Sequence, residues 1–351
     1  MLKNKSSEFR SFEDSLEEFK SWMQVQRIGC SFEDRPIYGL RWGSGSTKIL
    51  FWATTNGQDK TSLSGLLTIM KLLQGNEPDV VSFGTLIKWK SKFSLYFIPV
   101  LNPDGLHNLS SENAMGIDIY KDARSLIAPE SQILDAALRE YKPDVVIGLE
   151  NVSNTALFNL KSRDKLILLD FPTDQEKGVG SKKTLQNETK KRLIASCNRL
   201  SEKLKSSISI VNNGYDKHHF GSLIQQNGTP MLLIRPMQEL VYTEETKMIN
   251  LVEKTLIYLL NHLSVETETV KELSNISVEA IAAVPMNVDV LYKKAKITAN
   301  NGKRFIADVA FDRRLSGYEL KKIGDLDGAI AKEILLNKTL KLENLSTMRS
   351  N

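Results

Sequence analysis

The sequence predicts an α/β protein built on a sheet, followed by a small β-rich unit. Lys48-Ile-Leu-Phe-Trp-Ala53 is an apolar run ending in the polar turn Thr54-Thr-Asn-Gly57, and Leu63, Leu66, Leu67, Met70 and Leu73 follow at helical spacing. A buried strand that hands a polar loop to a helix is how open α/β sheets build ligand sites at the C-terminal ends of their strands. Further strand-length apolar runs alternate with helical patterns to about residue 263. From about 280 the pattern changes to short alternating segments, several of them separated by glycine-containing turns. At 351 residues, 41% apolar and 25% charged, the chain has ordinary globular composition and room for one large domain and one small one.

Taken in order, Phe12, Leu16, Phe19 and Met23 predict an amphipathic helix over 11–25. Ile28 to Trp42 reads as two strands around the turn Glu33-Asp34-Arg35-Pro36. Phe93-Ser-Leu-Tyr-Phe-Ile-Pro-Val100 is a buried strand leading into Asn102-Pro-Asp-Gly105, by itself a generic turn. Pro129-Glu130-Ser131 opens a helix, with proline at its first position and glutamate where the dipole favours it. Lys142 to Glu150 is the next strand, with further strand candidates at 156–160 and 166–169 and a helix over about 185–205. Tyr215 to Phe220 is a loop, Gly228 to Arg235 a strand, and 244–263 a helix with Val252, Leu256, Leu259 and Leu263 on one face. Short strands follow at 288–292, 295–298, 305–311 and 319–323, with a last segment near 332–342. The expected organisation is an α/β domain over 1–266, a polar linker over 267–279 and a β-rich domain over 280–351.

The net charge of +5, from 47 basic and 42 acidic residues, is spread along the chain. Clusters such as Lys190-Lys191-Arg192 read as a solvated helix face, and no nucleic-acid module accompanies them. Cys30 and Cys197 form neither a metal-ligand spacing nor a disulfide framework, which fits a reducing compartment. The N-terminus lacks the apolar segment of a signal peptide and no run approaches membrane-spanning length, so the expected location is cytoplasmic, with no membrane partner.

Several of these stretches, in this order, carry a resemblance. Ser31 to Ile37, Asn56-Gly57-Gln58-Asp59, Asn102-Pro-Asp-Gly105, Gly116-Ile-Asp-Ile-Tyr-Lys-Asp122, the strand ending at Glu150 and the strand ending at Arg235 resemble successive motifs of the zinc carboxypeptidases, in their cytosolic bacterial form. The resemblance covers residues 28–263. It implies a three-layer α/β/α sandwich around a mixed, mostly parallel sheet, and a small C-terminal β domain. In active members His, Glu and His hold a zinc ion that activates a water, a second Glu is the general base, and an Asn-Arg pair clamps the substrate carboxylate.

Carried over residue by residue, the metal-ligand positions are Asn56, Asp59 and Glu150, the general-base position is Arg235, and the clamp is Tyr120-Lys121. An Asn-Asp-Glu set offers only oxygen, which suits Mg²⁺ or Ca²⁺ better than zinc. A guanidinium cannot act as a base near neutral pH. The expectation is a catalytically degenerate homologue that holds no cofactor, with Arg235 standing in for the metal charge beside one or both carboxylates. Its old cleft would serve at most for a peptide or small carboxylate-bearing ligand, with Lys121 the remaining positive charge. The plainer readings are a surface turn at Asn56-Gly57, a solvated strand end at Glu150 and a surface lysine at 121. One alternative is an active metallocarboxypeptidase or amide hydrolase with an altered oxygen-rich metal site, or one relocated to Asp216, His218 and His219. The other is an interaction subunit whose C-terminal domain makes the contact, so that deletion beyond about 270 abolishes binding while the first domain stays folded.

Overall fold

The computed structural model describes residues 7–151, 165–172, 188–237, 241–265, 279–281, 286–314 and 317–345. In chain order the first part comprises α1 (Ser7–Phe19), β1 (Gln24–Cys30), β2 (Pro36–Trp42), β3 (Thr47–Trp52), α2 (Lys60–Leu72), α3 (Phe83–Lys92), β4 (Phe93–Ile98), α4 (Pro103–Asn108) and a 3-10 turn (Ile119–Lys121). It continues with α5 (Pro129–Tyr141), β5 (Val145–Leu149), β6 (Ile167–Asp170), α6 (Glu188–Lys203), β7 (Ile208–Asn213), α7 (Phe220–Gln226), β8 (Met231–Pro236), α8 (Val241–Ser264) and β9 (Glu279–Ile281).

These strands form one sheet in the order β1-β2-β4-β3-β5-β8-β6-β7-β9. β4, β3, β5 and β8 run parallel, while β2 pairs antiparallel with β4, and β6 antiparallel with β8. The central strands are buried on both faces, and their alternation sorts side chains into two apolar layers. Ile49, Phe51, Phe97, Ile147 and Ile234 pack with α1, α2, α6 and α8. Leu50, Trp52, Ile98, Val146 and Leu233 pack with α5, α7 and the 3-10 turn. The result is a three-layer α/β/α sandwich. Among the described residues no helix is long and apolar enough to cross a membrane.

The second sheet comprises β10 (Asn287–Thr298), β11 (Arg304–Arg314), β12 (Gly317–Gly324), β13 (Ile330–Leu336) and β14 (Thr339–Lys341), followed by the single turn α9 (Leu342–Leu345). Its order is β12-β11-β10-β13, with β14 also on β10. This sheet shares a core with the first part. Phe32, Met115, Ile117 and Ala128 lie in one buried cluster with Val290, Tyr292, Ile297, Val309, Phe311 and Ile323. Polar contacts ring it, including Lys322 to Asp118 at 3.1 Å, Arg124 to Asp327 at 2.9 Å and Lys217 to Asp327 at 2.6 Å.

Several elements differ from the sequence expectation. The first helix stops at Phe19, and Met23 is buried from the connection to β1 instead. Asn102-Pro-Asp-Gly is a helix start rather than a free turn, since Asn102 caps α4 by accepting from the Gly105 N–H at 2.8 Å. α3 has no clean apolar stripe: Leu86 and Trp89 are buried while Phe83 and Ile87 are exposed, so periodicity passes over it. The two segments expected at 288–292 and 295–298 are one strand interrupted by a bulge between Tyr292 and Ala295. β9 extends the first sheet by pairing with β7. The strand candidate at 156–160 and residues 267–278 of the expected linker lie outside the described residues.

Candidate functional site

The site lies where β3, β5 and β8 end side by side. These parallel strands bring Thr55-Asn56, Glu150-Asn151 and Arg235 to one sheet edge, and antiparallel β6 adds Asp170. Thr54 holds this edge with a left-handed φ of 58°, costly for a β-branched residue. Its hydroxyl donates to the Pro99 carbonyl at 3.0 Å and its carbonyl accepts from the Asn102 N–H at 2.9 Å. The Asn102 amide also donates to the Thr55 carbonyl at 2.9 Å, so the α4 cap pins the loop. Gly57 follows because nothing larger fits: a Cβ there would lie 1.9 Å from the Gly105 carbonyl carbon.

Within this frame Asp59 is the N-cap of α2, accepting from the Ser62 N–H at 3.0 Å, while its other oxygen accepts from the Asn151 N–H at 2.5 Å. Burial raises its pKa, opposed by those hydrogen bonds and by the charge of Arg235. Asn56 is committed at both ends, its amide donating to Asn151 Oδ1 at 2.9 Å and its oxygen accepting from the Gln58 N–H at 2.9 Å. Glu150 accepts from the Thr55 hydroxyl at 3.2 Å through Oε1 and from Arg235 Nη2 at 3.4 Å through Oε2. Burial pushes its carboxyl up to about 7, against the pull of Arg235.

Arg235 makes its shorter bond elsewhere, donating from Nη1 to Asp170 Oδ2 at 2.8 Å. Asp170 is fully buried and Arg235 nearly so. Burial works against the guanidinium charge, and Glu150 and Asp170 more than offset it, holding its pKa above the ordinary value. Asp59 feels Arg235 only through its field. Asp170 is the site residue that the sequence reading misses. Its one signal is an acid closing the apolar run Leu166–Leu169, and only the antiparallel pairing of β6 with β8, which sets Asp170 opposite Leu233, puts it within reach of Arg235.

The clamp positions separate. Tyr120 is buried in the layer under α7, and burial, then the charge of Glu150, pushes its phenol well above the ordinary value. Lys121 is about half exposed, 3.9 Å from Asp118. Asp216, His218 and His219 do come together, with Asp216 2.8 Å from His218 Nδ1 and 3.2 Å from His219 Nε2. Burial lowers the His219 pKa to about 4, so it is neutral at physiological pH. Among the described residues no group of three or more His, Cys, Asp and Glu is arranged to hold a metal ion.

Residues 10–117 match the sequence model of the zinc carboxypeptidase family. No curated protein matches the chain in sequence. Among solved structures, a metallo-carboxypeptidase from Burkholderia cenocepacia superposes with a TM-score of 0.56 at 15% identity, over 71% of this chain and 67% of that one. A metallo-carboxypeptidase from Pseudomonas aeruginosa gives 0.51 at 16% identity, over 72% and 68%. Carboxypeptidase A from Helicoverpa armigera gives 0.53 at 14% identity, over 72% and 71%.

Proposed function

We propose that this chain, which has the carboxypeptidase fold and matches the zinc carboxypeptidase family over residues 10–117, has exchanged its metal centre for an internal cation and is not a metallopeptidase. The observation that carries this reading is the Arg235 guanidinium bonded to both Asp170 and Glu150 at the strand ends where the resemblance puts the zinc chemistry. Zinc sites draw on imidazole and thiolate, helped by carboxylates. The residues at the corresponding positions do not fit that ion. Asn56 spends its amide on Asn151 and the Gln58 backbone, Asp59 spends both oxygens on backbone N–H groups, and Glu150 spends both on Thr55 and Arg235. A divalent ion among them would also face a fixed positive charge, and unit charges 4 Å apart interact by about 4 kcal/mol at an effective dielectric near 20. The cleft retains at most a binding role for a peptide or small carboxylate-bearing molecule, with half-exposed Lys121 as its accessible positive charge.

The test is the zinc content of the purified protein by elemental mass spectrometry, after equilibration with zinc and removal of excess. The expected result is near zero per chain, together with no release of C-terminal residues from peptides in Zn²⁺, Mn²⁺, Mg²⁺ or Ca²⁺. Stoichiometric zinc, or cleavage dependent on any of these ions, would overturn the reading.

A further inference from the structure

The second sheet ends in an edge that is poorly protected. β13 spans seven residues, contains no proline, and among the described residues pairs on one side only, with β10. Natural sheet edges of this length are usually blunted by proline, bulges or outward charges, because the unpaired N–H and C=O groups of an edge recruit another strand. On β13 the charges are neutralised within the sheet: Lys332 lies 2.6 Å from Asp289, and Glu333 bonds Arg313. What remains on its outer face is apolar, with Ile330, Ile334 and Leu336 exposed to 59%, 54% and 64%.

The register says which strand fits there. Ile330 donates its N–H to the Met286 carbonyl of the segment leading into β10, and the β10–β13 pairing keeps a constant offset. Strand alternation then turns the backbone groups of Ile330, Lys332 and Ile334 toward β10 and those of Ala331, Glu333 and Leu335 outward. An antiparallel partner related by a two-fold axis at Glu333 meets all three outward residues with groups of the same kind. Ala331 faces Leu335, Glu333 faces Glu333, and Leu335 faces Ala331, for about six backbone hydrogen bonds. On the exposed face the closely spaced pairs, roughly 4.5 Å apart at Cα, become Ile330 with Leu336 and Lys332 with Ile334. The facing glutamates each bring their own Arg313, so the axis holds a balanced set of two acids and two guanidiniums.

We propose that a second copy of this chain occupies the edge, the two β13 strands pairing antiparallel about Glu333 to join the second sheets of the two copies into one. The strand is complementary to itself in hydrogen bonding, apolar contact and charge, which is what a two-fold interface requires. The proposal is independent of whether the cleft holds zinc.

The test is sedimentation velocity of the full chain over a wide concentration range. The expected result is a reversible dimer, weakened at least about tenfold by Glu333→Pro, which removes an outward N–H and spares the β10 ladder. Ile334→Lys, an exposed change that sets two ammonium groups opposite each other, should weaken it similarly and guards against misfolding of the proline variant. Under oxidation, a mixture of the Lys332→Cys and Ile334→Cys proteins should crosslink between copies, and Lys332→Cys alone should not exceed the unmodified protein. A chain that stays monomeric, its edge solvated or covered by its own residues, would overturn the proposal. So would a dimer indifferent to both substitutions, or crosslinking without this pair specificity.

Discussion

Arg235 decides the character of the site at the scale of single residues. A buried guanidinium between two acids holds its place because removing it leaves both acids without a counter-charge in a low-dielectric setting. Arg235→Met should therefore lower unfolding stability by about 3–5 kcal/mol, read from urea denaturation at neutral pH. Adding Asp170→Asn and Glu150→Gln to that variant should recover much of the loss, since the uncompensated acids are then gone. A small cost for Arg235→Met alone would mean that the trio contributes little. Two members of this trio are legible in the sequence. Glu150 and Arg235 close two apolar strand runs, so their placement at one sheet edge follows from pattern and resemblance. Asp170 also closes such a run, but nothing local says that its strand is antiparallel to β8 and adjacent to it.

At the scale of elements, the loops beneath the site are tied together by buried polar side chains. Asp104, from the Asn-Pro-Asp-Gly segment, accepts from the Ser31 hydroxyl at 2.6 Å and from the Glu33 N–H at 3.0 Å, and lies 2.6 Å from Arg35. Glu130, in the first turn of α5, accepts from the Phe32 N–H at 3.1 Å and from the Asn113 amide at 2.9 Å. The sequence assigns Glu130 a dipole role at a helix start, and in the structure it is fully buried and also fastens the β1–β2 turn. Burial pushes its carboxyl up from 4.5 to about 7. The native state thus retains a proton that the unfolded chain has released, so this group's contribution to stability falls as pH rises from about 4.5 to about 7. Compared with Glu130→Gln, the native sequence should lose on the order of 1–3 kcal/mol of unfolding free energy between pH 4.5 and pH 8, measured by urea titrations at both pH values. A pH-independent difference between the two proteins would refute the assignment.

For the whole molecule, the second sheet forms a separate buried cluster with loop residues of the first part. Phe32 and Ile117 are buried against Phe311 and Ile323, and an isolated bridge pairs Ile117 with Ile323. Truncation after about residue 270 uncovers Phe32, Met115, Ile117 and Ala128 together. Each large apolar side chain returned to water costs roughly 1.5–3 kcal/mol. The truncated chain should consequently melt at a clearly lower temperature or aggregate, whereas the interaction-subunit alternative expects the first domain to stay folded alone. Unchanged thermal unfolding of residues 1–270 would show that the shared cluster is dispensable.

What the sequence determined by itself is whatever depends on neighbours along the chain. Apolar runs define the strands and helices, and Asp59 lies directly ahead of the helix it caps. The change of pattern near residue 280 announces the second sheet. Tertiary structure alone decided what depends on neighbours across the fold. Strand order and direction bring Asp170 to Arg235, burial turns Glu130 from a dipole residue into a proton-holding anchor, and packing of the second sheet on the loops of the first part makes Phe32 and Ile117 core. Periodicity reports which face of an element is apolar, and the partner that buries that face is set by long-range pairing, which leaves no local mark in the chain.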